Sequence, residues 1–317
     1  MKFVYVITSS ERDNYLEQAL LSMHSLKLHN PDAHIALVTD EATVGTLDGV
    51  RATIRQYVDE MIAVAPPEEY DAKQRSRYLK TTLRRRVEGD FLYIDTDTII
   101  TAPLTGLENM DHDIYATLNA HIPDSYKNSL IVEKYSAITQ QEFSLTQPYY
   151  NGGVFLVKDT PAAHKFFDDW HEIWSRERAQ FGVSRDQMAL AKANELNGGI
   201  VKELPPYYNC QIIMDYGWNY FADAKIIHYY AESPEPFYLF KEPSTYEKIK
   251  KEGITPEISD MVRFAKQRYL LSGHFLKGEE FDSYNLAMSV LGRKIARDHR
   301  WTNRIAYALY RVMGVKL

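Results

Sequence analysis

Four short apolar runs in the first hundred residues, "KFVYVIT", "HIALVTD", "MIAVAPP" and "FLYIDTDTII", constrain this chain more than any other feature. Each is short and rich in β-branched and aromatic residues, and each reads as a strand. Helical patterns separate them. From about Asp13 to His29, residues Leu16, Ala19, Leu20, Met23 and Leu26 recur on one face, and a second helix is expected from about Ala72 to Arg86. Strands apolar on both sides, alternating with helices, imply an α/β fold whose mostly parallel sheet is covered by helices on both faces. Ligands in such sheets bind beyond the carboxyl ends of the strands.

Later segments extend this pattern. "DIYATLN", "NGGVFLVKD", "GIVKELP" and "AKIIHYY" predict further strands. Helices are expected from Pro161 to about Phe181, with proline at the start, and from Ser184 to about Asn194. From Ser244 onward the sequence reads as helical, so a boundary near residue 240 divides an α/β domain (1–240) from a helical extension (241–317). With 45% hydrophobic and 25% charged residues and a net charge of −6, the composition is that of a soluble globular protein. Its acidity argues against a nucleic-acid partner. No apolar run reaches 18 residues, which excludes a spanning helix, and the N-terminus reads as a strand, not a signal peptide. The single cysteine, Cys210, excludes an internal disulfide, and a cytoplasmic location is expected.

Within "FLYIDTDTII" the carboxylates Asp95 and Asp97 are one residue apart. Residues i and i+2 of a strand point to one side, so the pair converges where the strand opens into a loop. Two close negative charges repel unless a cation lies between them. A divalent ion held by carboxylate oxygens and a solvated acidic turn are both compatible with these ten residues.

Three other short stretches join this one: "YYNGGVFLV", "RDQMAL" and "IIHYY". Taken in order with "YIDTDTII", they resemble the Asn-x-Gly-Val segment, the Asp-Gln helix start, the late metal-binding His and the Asp-x-Asp strand of glycosyltransferase family 8, over about residues 2–237. The resemblance implies a GT-A fold, a Rossmann-like α/β fold for nucleotide-diphospho-sugar transferases. It also implies a metal-dependent, retaining hexosyltransferase that uses a UDP-sugar and a glycan or lipid-linked glycan acceptor in polysaccharide or lipopolysaccharide biosynthesis. Metal ligands would be Asp95, Asp97 and His228, and an imidazole ligand favours Mn²⁺ over Mg²⁺. Thr8 and Ser9 would meet the base, and Tyr15 would stack on it. Lys80, with Arg77 as second choice, would meet the diphosphate or sugar; Lys lacks the bidentate fork of Arg. Asn151 offers a donor and an acceptor to sugar hydroxyls, and Gly152 and Gly153 would let the backbone approach the sugar, although a strand bulge also accounts for them. Asp186 would bind the sugar hydroxyls and Gln187 would stabilise its oxocarbenium-like state.

One departure accompanies the resemblance. Where the family has Gly and then Lys-Pro-Trp after the metal-binding His, this chain has Ala231 and Glu235-Pro236-Phe237, so the anion-binding Lys is missing there, and either Lys241 or Lys225 compensates or the donor is held differently. The basic run Arg84–Arg86 reads as a solvated face or a helix C-terminus. Residues 293–312 place Arg293, Arg297, Arg300, Arg304 and Arg311 on one helical stripe beside a second formed by Trp301, Ile305, Ala308, Leu309 and Val312. This pattern suits a helix lying on an anionic membrane, and equally a helix packed on its own domain. Two rival functions fit parts of the sequence. "YIDTDTI" also matches the nucleophile strand of haloacid-dehalogenase-type phosphohydrolases, but some 90 residues precede it and the later acidic pair Asp168-Asp169 lies in a helical stretch. A nucleotide-sugar-binding module without catalysis would account for the altered segment after His228.

Overall fold

The computed structural model describes residues 1–122, 130–143, 148–212, 215–231, 240 and 242–271. Its strands are β1 (Lys2–Ile7), β2 (Ile35–Asp40), β3 (Glu60–Val64), β4 (Phe91–Ile94), β5 (Thr98–Ile100), β6 (Ile114–Leu118), β7 (Tyr150–Val157), β8 (Val201–Glu203), β9 (Cys210–Gln211) and β10 (Ile226–His228). The α-helices are α1 (Tyr15–His29), α2 (Glu41–Val44), α3 (Ala72–Thr81), α4 (Leu130–Thr139), α5 (Pro161–Phe181), α6 (Gln187–Leu196), α7 (Asp215–Phe221), α8 (Pro243–Glu252), α9 (Pro256–Arg263) and α10 (Ala265–Leu271).

Among the described residues a seven-stranded sheet runs in the order β3-β2-β1-β4-β7-β6-β8. The pairs among β1 to β4 are parallel, β7 is antiparallel to both β4 and β6, and β6 and β8 are parallel. A small second sheet, β5-β10-β9, stands beside it. Both faces of the large sheet are buried, and the period of two is visible in β1. Phe3, Tyr5 and Ile7 enter one core, and Val4 and Val6 enter the other. The first core continues into α8 and α9 through Tyr246, Ile249, Ile258, Met261 and Val262.

Local chemistry sets the element ends. Helix α5 begins as expected, with the Thr160 hydroxyl accepting from Ala163 N–H at 3.2 Å and Pro161 in the first turn, and it ends at Gly182 with φ +68°. Helix α3 opens on a capping box between Asp71 and Gln74 but stops at Thr81, short of the expected Arg86, and tightens into a 3₁₀ turn over Leu83–Arg85. Thr81 Oγ1 donates to Arg77 O at 2.9 Å and Thr82 Oγ1 to Tyr78 O at 2.6 Å, competing with the helical ladder. Helix α6 starts at Gln187, not Ser184: the carbonyls of Ser184 and Arg185 accept from the Trp174 indole N–H and the Tyr135 hydroxyl, while Asp186, the N-cap, gives its carbonyl to Leu190 N–H. The stretch Phe91–Ile100 is two strands in two sheets, with a bend over 95–97 between them.

The basic helix expected over 293–312, the segment Glu235-Pro236-Phe237 and Lys241 lie outside the described residues. Among the described residues, no helix is long and apolar enough to cross a membrane.

Candidate active site

The bend between β4 and β5 is tied on both sides. Asp95 N–H donates to Gly153 O on β7 at 2.7 Å, while Asp97 O accepts from Tyr229 N–H at 3.1 Å, just past β10. These ties, more than strand alternation, aim the two carboxylates into one space. Asp97 accepts a further hydrogen bond from Ala231 N–H, at Oδ2 and 3.1 Å. His228, the last residue of β10, brings Nε2 to 3.2 Å from Asp97 Oδ1. One ligand atom from each of Asp95, Asp97 and His228 lies within 4.8 Å of the others. Two hard carboxylate oxygens and one imidazole nitrogen in such a cluster fit a divalent cation, so the donor set passes the chemical test for a metal group. Burial raises the Asp97 pKa, but the His228 ring and the hydrogen bonds it receives outweigh that and hold it below the ordinary carboxylate value.

His228 is clamped between β7 and a tyrosine. Its ring stacks on Tyr230 with centroids 4.1 Å apart and planes 5° apart. On the other side a Cβ added at Gly153 would lie 2.4 Å from His228 Cε1 and 2.8 Å from Nδ1. Gly153 is therefore needed where the His228 ring lies, a requirement of packing that needs no bound sugar. Gly152 is less restrictive, since a Cβ there would meet Lys80 Nζ at an ordinary 3.7 Å.

Beside the cluster of Asp95, Asp97 and His228 stands the face of α3. Lys80 Nζ lies 3.3 Å from Asp95 Oδ1 and 3.8 Å from Asp186 Oδ2, and Arg77 Nε lies 3.1 Å from Asp186 Oδ1. Lys80 also sits 4.8 Å from the centre of the Tyr93 ring, whose hydroxyl donates to Asp95. Burial, and after it the neighbouring Asp95 charge, push the Tyr93 phenol well above its usual pKa, so it stays a donor. For Asp186 burial raises the pKa, but Arg77 and Lys80 reverse it and keep the group an anion. Gln187 donates from Nε2 to Asn119 Oδ1 at 2.8 Å.

These residues line a cavity of about 430 Å³. Of the candidates read from sequence, Thr8, Tyr15, Arg77, Lys80, Asp95, Asp97, Asn151, Gly152, Gly153, Asp186, Gln187 and His228 all line it. Ser9 does not: its hydroxyl donates to Asp13 Oδ1 at 2.7 Å and accepts from Arg51 Nη2 at 3.2 Å, so it organises the loop after β1. Lys225 is also elsewhere, donating to Thr105 O and Tyr208 OH, and does not substitute for the missing family Lys in the cavity. Asn151 is inside, but its amide is taken up by Gly153 N–H, Asn209 and Tyr230. Sequence reading missed Lys73, Tyr93 and Tyr230, which also line the cavity. Lys73 falls on the same helical stripe as Arg77 and Lys80, and Tyr93 is two residues before Asp95 on its strand, so both had a readable signal.

Residues 6–233 match glycosyl transferase family 8. The chain belongs to that family. Solved glycosyltransferases share its fold. The galactosyltransferase LgtC, in complex with donor and acceptor sugar analogues, superposes with a TM-score of 0.53 at 17% identity, covering 82% of this chain and 95% of that one. Mouse xyloside xylosyltransferase 1 in its apo form gives 0.50 at 14% identity, covering 74% of this chain and 99% of its own. The glycosyltransferase GlyE of Streptococcus pneumoniae gives 0.50 at 19% identity, with 84% of this chain matched to 64% of GlyE. No individually curated protein sequence matches the chain. The fold is thus GT-A, and the chain is a family 8 glycosyltransferase. Membership removes the phosphohydrolase reading. The acidic pair that reading required is on the outer side of α5, where Asp168 pairs with Arg85 and Asp169 with Lys165.

Proposed function

We propose that this glycosyltransferase moves a hexose from a UDP-sugar to a glycan or glycolipid acceptor, with retention of anomeric configuration and with Mn²⁺ or Mg²⁺ held by Asp95, Asp97 and His228. The observation that carries the reading is the convergence of three metal-capable side chains with Lys80, Asp186 and Gln187 in one cavity. When bound, the divalent ion supplies Lewis-acid stabilisation of the charge that develops on the departing diphosphate. Lys80 adds a fixed positive charge next to Asp95, Arg77 and Lys80 hold Asp186 ionised to accept from sugar hydroxyls, and Gln187 offers its amide to the sugar ring. Lys73, on the same face of α3, supplies a further cation to the cavity in place of the family Lys absent after His228. Thr8 and Tyr15 bound the end suited to the base, with the Thr8 hydroxyl already donating to Ala72 O at 3.0 Å. The location we infer is cytoplasmic, and the basic segment 293–317 suits contact with an anionic membrane and packing on its own domain equally.

A panel of UDP-sugars incubated with Mn²⁺, with and without chelator, tests this reading. Release of free sugar and UDP that chelator abolishes is expected. Tight donor binding without turnover would favour the non-catalytic module, and turnover unchanged by chelator would remove the metal from the reading.

A further inference from the structure

Beneath the metal group lies a side-chain network whose direction follows from a single backbone donor. The N–H of Gly153 can only donate, and it lies 2.8 Å from Asn151 Oδ1, so the Asn151 amide oxygen is fixed there. Asn209 approaches the same oxygen at 3.0 Å and must present its NH₂. That NH₂ also reaches Thr117 Oγ1 at 2.9 Å. The Asn209 oxygen is thereby turned to His228 Nδ1, 3.0 Å away. An amide oxygen only accepts, so Nδ1 carries a proton, and Nε2, on the Asp97 side, is the ring nitrogen left to offer a lone pair. The same anchor runs outward: the Asn151 NH₂ faces Tyr230 OH at 3.0 Å and Asn119 Oδ1 at 3.4 Å, and Asn119 Oδ1 receives Gln187.

We propose that Asn209, a buried residue just before β9, is the positioning residue that selects which nitrogen of His228 faces the cation. The inference rests on the metal-assisted reading above. Rotation of the ring is blocked by Gly153 on one side and Tyr230 on the other, so the tautomer is the remaining degree of freedom. Neutral imidazole in water prefers its proton on Nε2, the nitrogen needed for coordination. An acceptor at Nδ1 reverses that preference and makes Nε2 a better ligand; outer partners of ligating histidines typically govern metal affinity by about 10–100-fold. Asn209 does not itself line the cavity; it bonds His228 and Asn151, which do, and its effect on the cation passes through His228.

The test titrates Mn²⁺ calorimetrically into the full-length wild type, Asn209→Leu and Asn209→Asp, with thermal melting of each. Leu removes the acceptor at Nδ1 and the donor to Asn151. Asp keeps the acceptor but puts a carboxylate against the Asn151 oxygen. Asn209→Leu should lose about 10–100-fold in Mn²⁺ affinity, whereas Asn209→Asp should melt lower yet bind Mn²⁺ at or above the wild-type level. Affinity that follows melting temperature in both variants, or wild-type affinity in a folded Asn209→Leu, overturns the inference and leaves the metal-assisted reading standing. A wild type that binds no Mn²⁺ overturns both. ¹⁵N-histidine NMR of the Cd²⁺-loaded wild type decides even if the Leu variant does not fold: Nε2 coordinated and Nδ1 protonated supports the assignment, and Nδ1 coordinated ends it.

Discussion

Gly153 shows how much one missing side chain determines at the scale of a residue. Its backbone does two jobs: the carbonyl accepts from Asp95 N–H, and the N–H orients Asn151. Its lack of a Cβ lets the His228 ring pack against it. In Gly153→Ala the new methyl would meet a buried ring held on its far side by Tyr230, not the loose end of a flexible chain. Overpacking of this kind costs about 1–3 kcal/mol. The expected outcome is a lower denaturant midpoint, because the ring and β7 must separate, with a loss of Mn²⁺ affinity because His228 leaves the carboxylates. A normal midpoint with normal Mn²⁺ binding would show that the ring has room. The glycine pair was legible in the sequence, but its reason was not. The partner is a histidine 75 positions later, and nothing local connects them.

Helix α3 is the element on which charge in the site depends. Lys73, Arg77 and Lys80 form one stripe, and the last of them is buried between Asp95 and Asp186. Replacing Lys80 with Met leaves Asp186 with Arg77 and Asp95 with the Tyr93 hydroxyl, so the fold should persist. If Lys80 meets the donor as proposed, the variant loses a charge-assisted contact worth about 1.5–3 kcal/mol, or roughly tenfold to a hundredfold in kcat/KM for the proposed UDP-sugar. Kinetics within threefold of wild type would remove Lys80 from donor binding. Where α3 meets α5, Thr81 Oγ1 bonds His171 Nδ1 at 2.8 Å. Burial, helped by Arg85 and Arg86, lowers the His171 pKa from 6.5 to about 4. The unfolded chain therefore binds more protons between these values, and the contribution of His171 to stability is full above pH 6.5 and falls away as pH drops toward 4. His171→Gln should flatten the dependence of unfolding free energy on pH between about 4 and 6.5. The difference between variant and wild type is the readout, because burial raises the pKa values of Glu17 and Glu177 and these act in the opposite sense. An unchanged slope would mean that His171 titrates normally. Elements with their own caps, such as α5, could be placed from sequence. The two-residue β9 could not, because it exists only through its pairing with β10, and β5 reads in the sequence as one strand with β4 because the switch of sheets is set by its distant partner β10.

For the whole molecule, the question is where the folding unit ends. The family match stops at residue 233, and the sequence pattern changes near 240, which suggests a catalytic unit with an appended helical extension. Yet Ile249 and Val262 are fully buried, and with Tyr246, Ile258 and Met261 they fill the core beneath α1 that also holds Phe3, Tyr5 and Ile7. The alternation of strands and helices announced the large sheet, since periodicity reports on each element's own faces. It says nothing of which surface a later helix covers, because that depends on contacts more than 200 residues apart. Full burial of an aliphatic or aromatic side chain contributes about 1.5–3 kcal/mol, and five of them together, about 7.5–15 kcal/mol, are comparable to the roughly 5–15 kcal/mol typical of a domain's net stability. A chain ending at residue 240 should therefore lose cooperative thermal unfolding and expose apolar surface to a hydrophobic dye, while a chain ending at 271 should melt as a folded protein. If the 240-residue chain melts cooperatively near the full-length temperature, α8 and α9 are an appendage, and the catalytic unit is complete without them.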